Sequence, residues 1–240
     1  VPHPLSVGSG PHTQRMWDET ADIRTRIDAL PFLRDLGDGS LNPERFAFYI
    51  AQDAQYLVAY QKSMTALAAR ASRSAELKFW AKSAVGAVAE EQVMHQQLSE
   101  DPRLRGFLAG ELGPRSLQTA AYSEFLISTA NTDTYAVAAA AVLPCYWIYA
   151  EAGVRVAREA GWDQDKGAPE DHPYATWVAA YADERFHKIA ARAVSIVEKA
   201  CEVAGEQERD RAVEAFRAAT RFEELFWAQA QVGPEGRTLI

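Results

Sequence analysis

Residues 42–71 read NPERFAFYIAQDAQYLVAYQKSMTALAARA, and this stretch decides the fold. Asn42 is placed to cap a helix, Pro43 fits its first position, and Glu44 meets the positive end of the helix dipole. The pattern predicts one long helix running to about Ala71. A second long helix begins near Ser74 and carries LKFWAKSAVGAVAEEQVMHQQL, residues 77–98. The stretch 101–116, DPRLRGFLAGELGPRS, breaks the pattern. Another helix is expected over Leu117 to Thr129, with Asn131, Thr132 and Asp133 offering the next cap. The helix after it runs to about Ala160 and contains Pro144, which predicts a kink. Residues 161–173, GWDQDKGAPEDHP, read as a loop. Helical segments follow over Tyr174 to about Ala204 and Glu206 to about Gln231, the last ended by Gly233 and Pro234.

Upstream, Met16, Trp17, Ile23 and Ile27 share one helical face from about Thr13. Pro31 and Phe32 are expected to open a connection ending in LGDGSLN, residues 36–42. Residues 1–12, rich in Pro, Gly and His, are expected to form a flexible arm before a single helical domain over 13–240. No window alternates with the period of a half-buried strand. The expectation is therefore an all-α bundle of about seven or eight helices, long enough to enclose a site at its centre.

The 240 residues carry 25 Lys plus Arg and 33 Asp plus Glu, a net charge of −8. That balance, with no basic run, argues against nucleic acid as a partner. The most apolar window, Ala136 to Ile148, contains Pro144 and reads as a buried helix, so no membrane span is expected. Two cysteines exclude a disulfide scaffold and suit a reducing compartment. The opening VPHPLSVGSGPHTQ lacks the charged and apolar regions of a secretory signal. It also lacks an initiator Met, which reads as a trimmed chain or one starting inside a longer protein. A soluble, cytoplasmic protein is expected.

Some residues stand out chemically. Cys145 follows a helix-bending Pro in AVLPCYWIYAEAG, and Tyr149 lies one turn on along the same face. Such a thiol either faces a cavity as a nucleophile or packs as a small hydrophobe. Cys201, without comparable neighbours, reads as structural. Asp53 lies on one stripe with Tyr49 and Tyr56 in an otherwise apolar face. It implies either a polar ligand pocket or a structural hydrogen bond to a neighbouring helix. Of Glu223 and Glu224, one should turn inward with Phe226 and Trp227 and the other outward. Tyr122 and Tyr181 add hydroxyls on apolar helices. Glu184 with His187 has the spacing of one di-iron ligand pair. Glu91 with His95 is one residue too far apart for another, and His3, His12 and His172 lie in the arm or a loop, so no metal site is expected.

Several stretches together resemble one family. They are PFLRDLGDGSLNPERFAFYIAQDAQYL (31–57), AAYSEFL (120–126), VLPCYWIYAEAG (142–153), HPYATWVAAY (172–181) and FEELFW (222–227). In order and spacing they resemble the TenA family, also called thiaminase II or aminopyrimidine aminohydrolase, over roughly Trp17 to Gln229. The resemblance implies a heme-oxygenase-like bundle without heme, usually a homotetramer, needing no cofactor. It implies hydrolysis of 4-amino-5-aminomethyl-2-methylpyrimidine, and of thiamin, to 4-amino-5-hydroxymethyl-2-methylpyrimidine, which returns to thiamin synthesis. Cys145 places the chain in the family's cysteine-containing branch. Carried over, Cys145 is the nucleophile, Glu223 the acid–base group, and Asp53 the anchor for the exocyclic amine and a ring nitrogen. Tyr149 and Tyr181 touch substrate, while Tyr56 and Tyr122 hydrogen-bond the Cys and Glu. A bond from Tyr56 is expected to favour the thiolate. Two rival readings are a metal-dependent oxygenase on the same scaffold and a non-catalytic pyrimidine-binding regulator.

Overall fold

The computed structural model describes residues 5–162, 167–169 and 171–232. Among these it shows twelve helices and no β-strand. The first six are α1 Pro11–Asp18, α2 Ala21–Asp28, α3 Pro31–Asp38, α4 Pro43–Arg70, α5 Ser74–Glu100 and α6 Pro102–Leu108. The rest are α7 Leu117–Thr132, α8 Tyr135–Val142, α9 Pro144–Glu159, α10 Ala175–Tyr181, α11 Glu184–Val203 and α12 Glu206–Gln231. The fold is all-α, and its longest unit is the α4–α5 hairpin that the 42–71 stretch opens. Asn42 accepts from Glu44 N at 2.8 Å, satisfying one orphan donor of α4.

The helix count exceeds the expected seven or eight because short capped turns are helices in their own right. Residues 31–38 are α3, not a connection. Pro31 sits at a helix start, Phe32, Leu33 and Leu36 bury one face, and Gly39 at φ 82° ends the helix in the left-handed region. Residues 102–108 are likewise helical, capped by Asp101 and held by buried Leu104 and Leu108, one turn apart. The segment read as one helix from Tyr174 to Ala204 divides at Ala182 and Asp183, because the Asp183 side chain caps α11 through Arg185 N at 2.7 Å. The kink expected at Pro144 is a break at Leu143, between α8 and α9. The expected stop at Gly233 and Pro234 lies outside the described residues.

Helix α8 is the axle of the bundle. Every residue from Ala136 to Val142 is buried, and its alanines let α12, α7, α11 and α4 pack closely around it. The span Tyr135–Glu159 is long and apolar enough to cross a membrane, at a mean hydropathy of 1.4, but 89% of that window is buried inside the protein. It is the core of the bundle. Trp80, Trp147, Trp177 and Trp227 are all fully buried against it or its neighbours.

From Leu5 on, the described N-terminal residues dock on this core. Trp147 Nε1 donates to Leu5 O, and the start of α1 is capped across the chain by Glu198 of α11. That buried carboxylate accepts from His12 N at 3.1 Å, Thr13 N at 2.7 Å and Thr13 Oγ1 at 2.6 Å. Glu198→Ala strands three donors and removes a cap. It is expected to destabilise the fold by about 2 kcal/mol. For a chain of this size that lowers Tm by roughly 4–8 °C. Calorimetry checks it; an unchanged Tm would show that the docked end contributes nothing.

Candidate active site

Four helices bring one polar side chain each to a common point. The break at Leu143 starts α9 at Pro144, so Cys145 is the second residue of a helix, where the dipole favours negative charge. Its Sγ is hydrogen-bonded to Tyr56 OH from α4. It lies 3.3 Å from Tyr122 OH of α7 and donates to Glu223 Oε1 of α12 at 3.0 Å. Tyr122 OH also donates to Glu223 Oε1, at 2.6 Å. The tyrosines and Glu223 are buried, whereas Cys145 is only half-buried. Cys145 is thus the least buried residue of the cluster. Tyr56 packs against Tyr122 and Phe226 at 4.9 and 5.5 Å, and Phe222 stacks on Tyr122 at 5.1 Å. These rings keep the cluster dry and suit a flat aromatic guest.

Burial pushes the Glu223 carboxyl up to about 7, against the bonds from Tyr122 and Cys145 that hold it down. Burial also pushes the Cys145 thiol up, reinforced by the charge of Glu223. Tyr122 and Tyr56 pull the thiol down, as expected of Tyr56, but they do not prevail. At neutral pH the resting pair is therefore a neutral thiol beside a carboxyl near its midpoint. Glu223 Oε1, 3.0 Å from the sulfur, is the group positioned to take the thiol proton.

Asp53 stands one turn before Tyr56 on α4, 4% exposed. No hydrogen bond reaches its carboxyl among the described residues. Burial raises its pKa well above the ordinary 3.8, and Glu91 and Glu223 push it further. Next to it, Tyr49 and Tyr149 join hydroxyls at 3.0 Å, and Trp177 Nε1 donates to Tyr49 OH at 3.4 Å. Tyr149 packs on Tyr181 at 4.9 Å and Trp227 at 4.7 Å. Tyr181 is placed there by Gly153, where an added Cβ would lie 2.6 Å from the Tyr181 carbonyl. All seven residues singled out from the sequence, Cys145, Glu223, Asp53, Tyr149, Tyr181, Tyr56 and Tyr122, lie close enough to act on one another, with Cys145 and Glu223 at the centre. The Glu223–Glu224 choice resolves geometrically, because Glu224 turns away to Arg26 Nε at 3.0 Å and to Arg221. Tyr49, Phe226 and Trp177 were not singled out as site residues. Only the shared stripe of Tyr49 with Asp53 and Tyr56 pointed toward one of them.

A profile of the TENA/THI-4/PQQC family matches residues 18–233. The chain belongs to this family. A Corynebacterium efficiens relative named thiamine biosynthesis multifunctional protein ThiED is 36% identical over 229 residues, 95% of this chain and 29% of the relative. The chain thus spans less than a third of that relative and of its Corynebacterium glutamicum counterpart. A Halalkalibacterium halodurans protein named aminopyrimidine aminohydrolase is 28% identical over 205 residues, 83% of this chain and 86% of that one. In fold, the chain is similar to a TenA homologue from Pyrococcus furiosus, with a TM-score of 0.79 at 23% identity, covering 92% of this chain and all of the other.

In this TENA/THI-4/PQQC member the candidate metal ligands are otherwise engaged. Glu184 lies at the surface, paired with Lys188 at 2.8 Å, and His187 Nε2 donates to Ala150 O at 2.9 Å. No group of three or more His, Cys, Asp or Glu suited to a metal occurs among the described residues. Cys201 is buried at the far end of α11, its thiol pushed up to about 12 by burial. A separate cleft of about 790 Å³ lies beside Gly39, Arg103 and His172. Its polar groups are already paired, His172 Nε2 to Gly37 O and Arg103 to Asp101 and Asp171.

Proposed function

We propose that the protein is an aminopyrimidine aminohydrolase of the thiaminase II type. It converts 4-amino-5-aminomethyl-2-methylpyrimidine and water to 4-amino-5-hydroxymethyl-2-methylpyrimidine and ammonia, and it cleaves thiamin at the same methylene. The observation that carries this reading is the 3.0 Å contact from Cys145 Sγ to Glu223 beside a buried Asp53 whose carboxyl no hydrogen bond reaches among the described residues. The printed name of the Halalkalibacterium relative supports it.

The leaving group sits on a methylene outside an aromatic ring, so direct displacement by water is slow. Asp53 accepts from the exocyclic amine and meets the adjacent ring nitrogen. Cys145 passes its proton to Glu223 and adds its sulfur to a ring carbon, while Glu223 delivers that proton to a ring nitrogen. Ring electrons then expel the amine, breaking the exocyclic C–N bond. Water adds to the exposed methylene, its proton going to the surroundings. The ring gives its proton back to Glu223 as the C–S bond breaks, and the sulfur leaves as thiolate. Tyr149, Tyr181 and the neighbouring rings hold the heterocycle flat. No metal or cofactor takes part in this scheme.

We further place the protein in the cytoplasm, in thiamin salvage, as a homotetramer. The outer side of α5 supports self-association: Leu77, Ala81, Val85 and Ala89 recur every four residues and are all exposed.

Asp53→Asn tests the anchor. The specificity constant for ammonia release is expected to fall about 10- to 100-fold. Stability should move the other way. Because the folded carboxyl has a raised pKa, the native state binds its proton more tightly than the unfolded chain, and folding is penalised as pH rises above 3.8. Asn removes that penalty. At pH 7 the variant should therefore melt at a higher temperature than the unmodified protein. The gain should vanish below about pH 4. An unchanged specificity constant, or a lower Tm, would remove Asp53 from the reaction.

A further inference from the structure

We propose that Glu91 of α5 receives the cationic leaving group, the ammonium of the aminomethylpyrimidine or the thiazolium of thiamin, and so tunes the site toward charged substrates. This rests on the reaction proposed above. The geometry comes from the long hairpin. Asp53 and Glu91 each stand 17 residues from the hairpin ends, at Arg70 of α4 and Ser74 of α5. Two antiparallel helices rise equally per residue, so equal counts from the turn set Asp53 and Glu91 at about the same height along the hairpin. Asp53 is buried without a hydrogen bond, and Glu91 is the largest charge acting on it. Glu91 itself is half-buried, so part of it reaches solvent. Its exposed neighbour Glu90 bonds Arg185 at 2.7 Å, which ties α5 to the start of α11 beside Tyr181.

The charge balance of the hollow points the same way. Asp53, Glu223 and Glu91 are three carboxyls, and no Lys or Arg is among the groups that act on any of them. Only His95, one turn along α5, favours the charged form of Glu91. Three carboxyls with no Lys or Arg acting on them favour a positively charged guest over a neutral or anionic one. In the substrate, the 4-amino group and the 5-methylene are on adjacent ring carbons. A carboxyl next to the one holding the amine is therefore where the leaving group arrives.

The test compares two ligands that differ only in this charge, with the full chain and Glu91→Gln. One is the aminomethylpyrimidine, an ammonium at neutral pH, and the other is the hydroxymethylpyrimidine, which is neutral there. The variant is expected to raise KM and Kd for the aminomethyl compound about tenfold and to leave Kd for the alcohol within about twofold. Glu91→Lys should widen the gap between the two ligands further. Equal weakening of both ligands in a folded variant would assign Glu91 a merely structural role, and no change in either would also overturn the proposal. Absence of turnover in the unmodified protein would strike the proposed reaction instead, and the ratio of the two dissociation constants would still decide the role of Glu91.

Discussion

Cys145→Ser is expected to lower ammonia release at least about 1,000-fold while the protein remains folded. Serine keeps nearly the same shape and retains a donor for Glu223 and an acceptor for Tyr56 and Tyr122, so the cluster of four helices survives. The lost property is a soft nucleophile that can add to an aromatic ring and later leave. A hydroxyl beside a carboxyl titrating near 7 is far too weakly acidic to be deprotonated by it. Turnover is read as ammonia and alcohol in equal amounts, and folding by the melting curve. Activity within tenfold of the unmodified protein would eliminate the covalent step and leave Glu223-assisted attack by water.

Glu223→Gln is expected to cost about 100- to 10,000-fold in turnover, the range for one acid–base group. It also carries a distinct signature in pH. The productive form of the Cys145–Glu223 pair holds one proton between the two groups. Glu223 titrates near 7 and the thiol is pushed higher, so below pH 7 the pair carries a second proton and cannot form the thiolate. The specificity constant should rise with pH through about 7 and then level off. In the Gln variant that rise should be absent, since an amide does not titrate. Initial rates from about pH 5 to 9 decide this. A flat profile in the unmodified protein across neutral pH would mean that Glu223 does not carry the proton.

How much of this was legible in the sequence differs from residue to residue. Asn42, Pro43 and Glu44 announce α4 because capping is local chemistry, readable within a turn. The same local rules explain the misreadings. Pro31 and Asp101–Pro102 look like interruptions until the helices that bury Leu33, Leu36 and Leu104 are known, α9 and α12 for α3, and α4 and α5 for α6. The site divides the same way. Cys145, Asp53 and Glu223 stand out as polar groups on apolar helices. Their meeting requires that α4, α9 and α12 all pack on or around α8, which no local pattern states. The thiolate expectation illustrates the limit. Tyr56 does bond the sulfur, but the balance of the thiol is set by desolvation, which depends on everything else around it.

The contact between Gly153 and the Tyr181 carbonyl acts as a ruler. Helix α9 carries the sulfur at one end and this glycine two turns further on. The distance from the reacting atom to the opposite ring is thus set by two backbones in touch, with no flexible side chain between them. Drift at that glycine would not simply loosen the protein. It would also push Tyr181 off Tyr149, so in descendants of this chain the spacing of the two rings, and with it the substrate range of the proposed reaction, is hostage to a single missing methyl group.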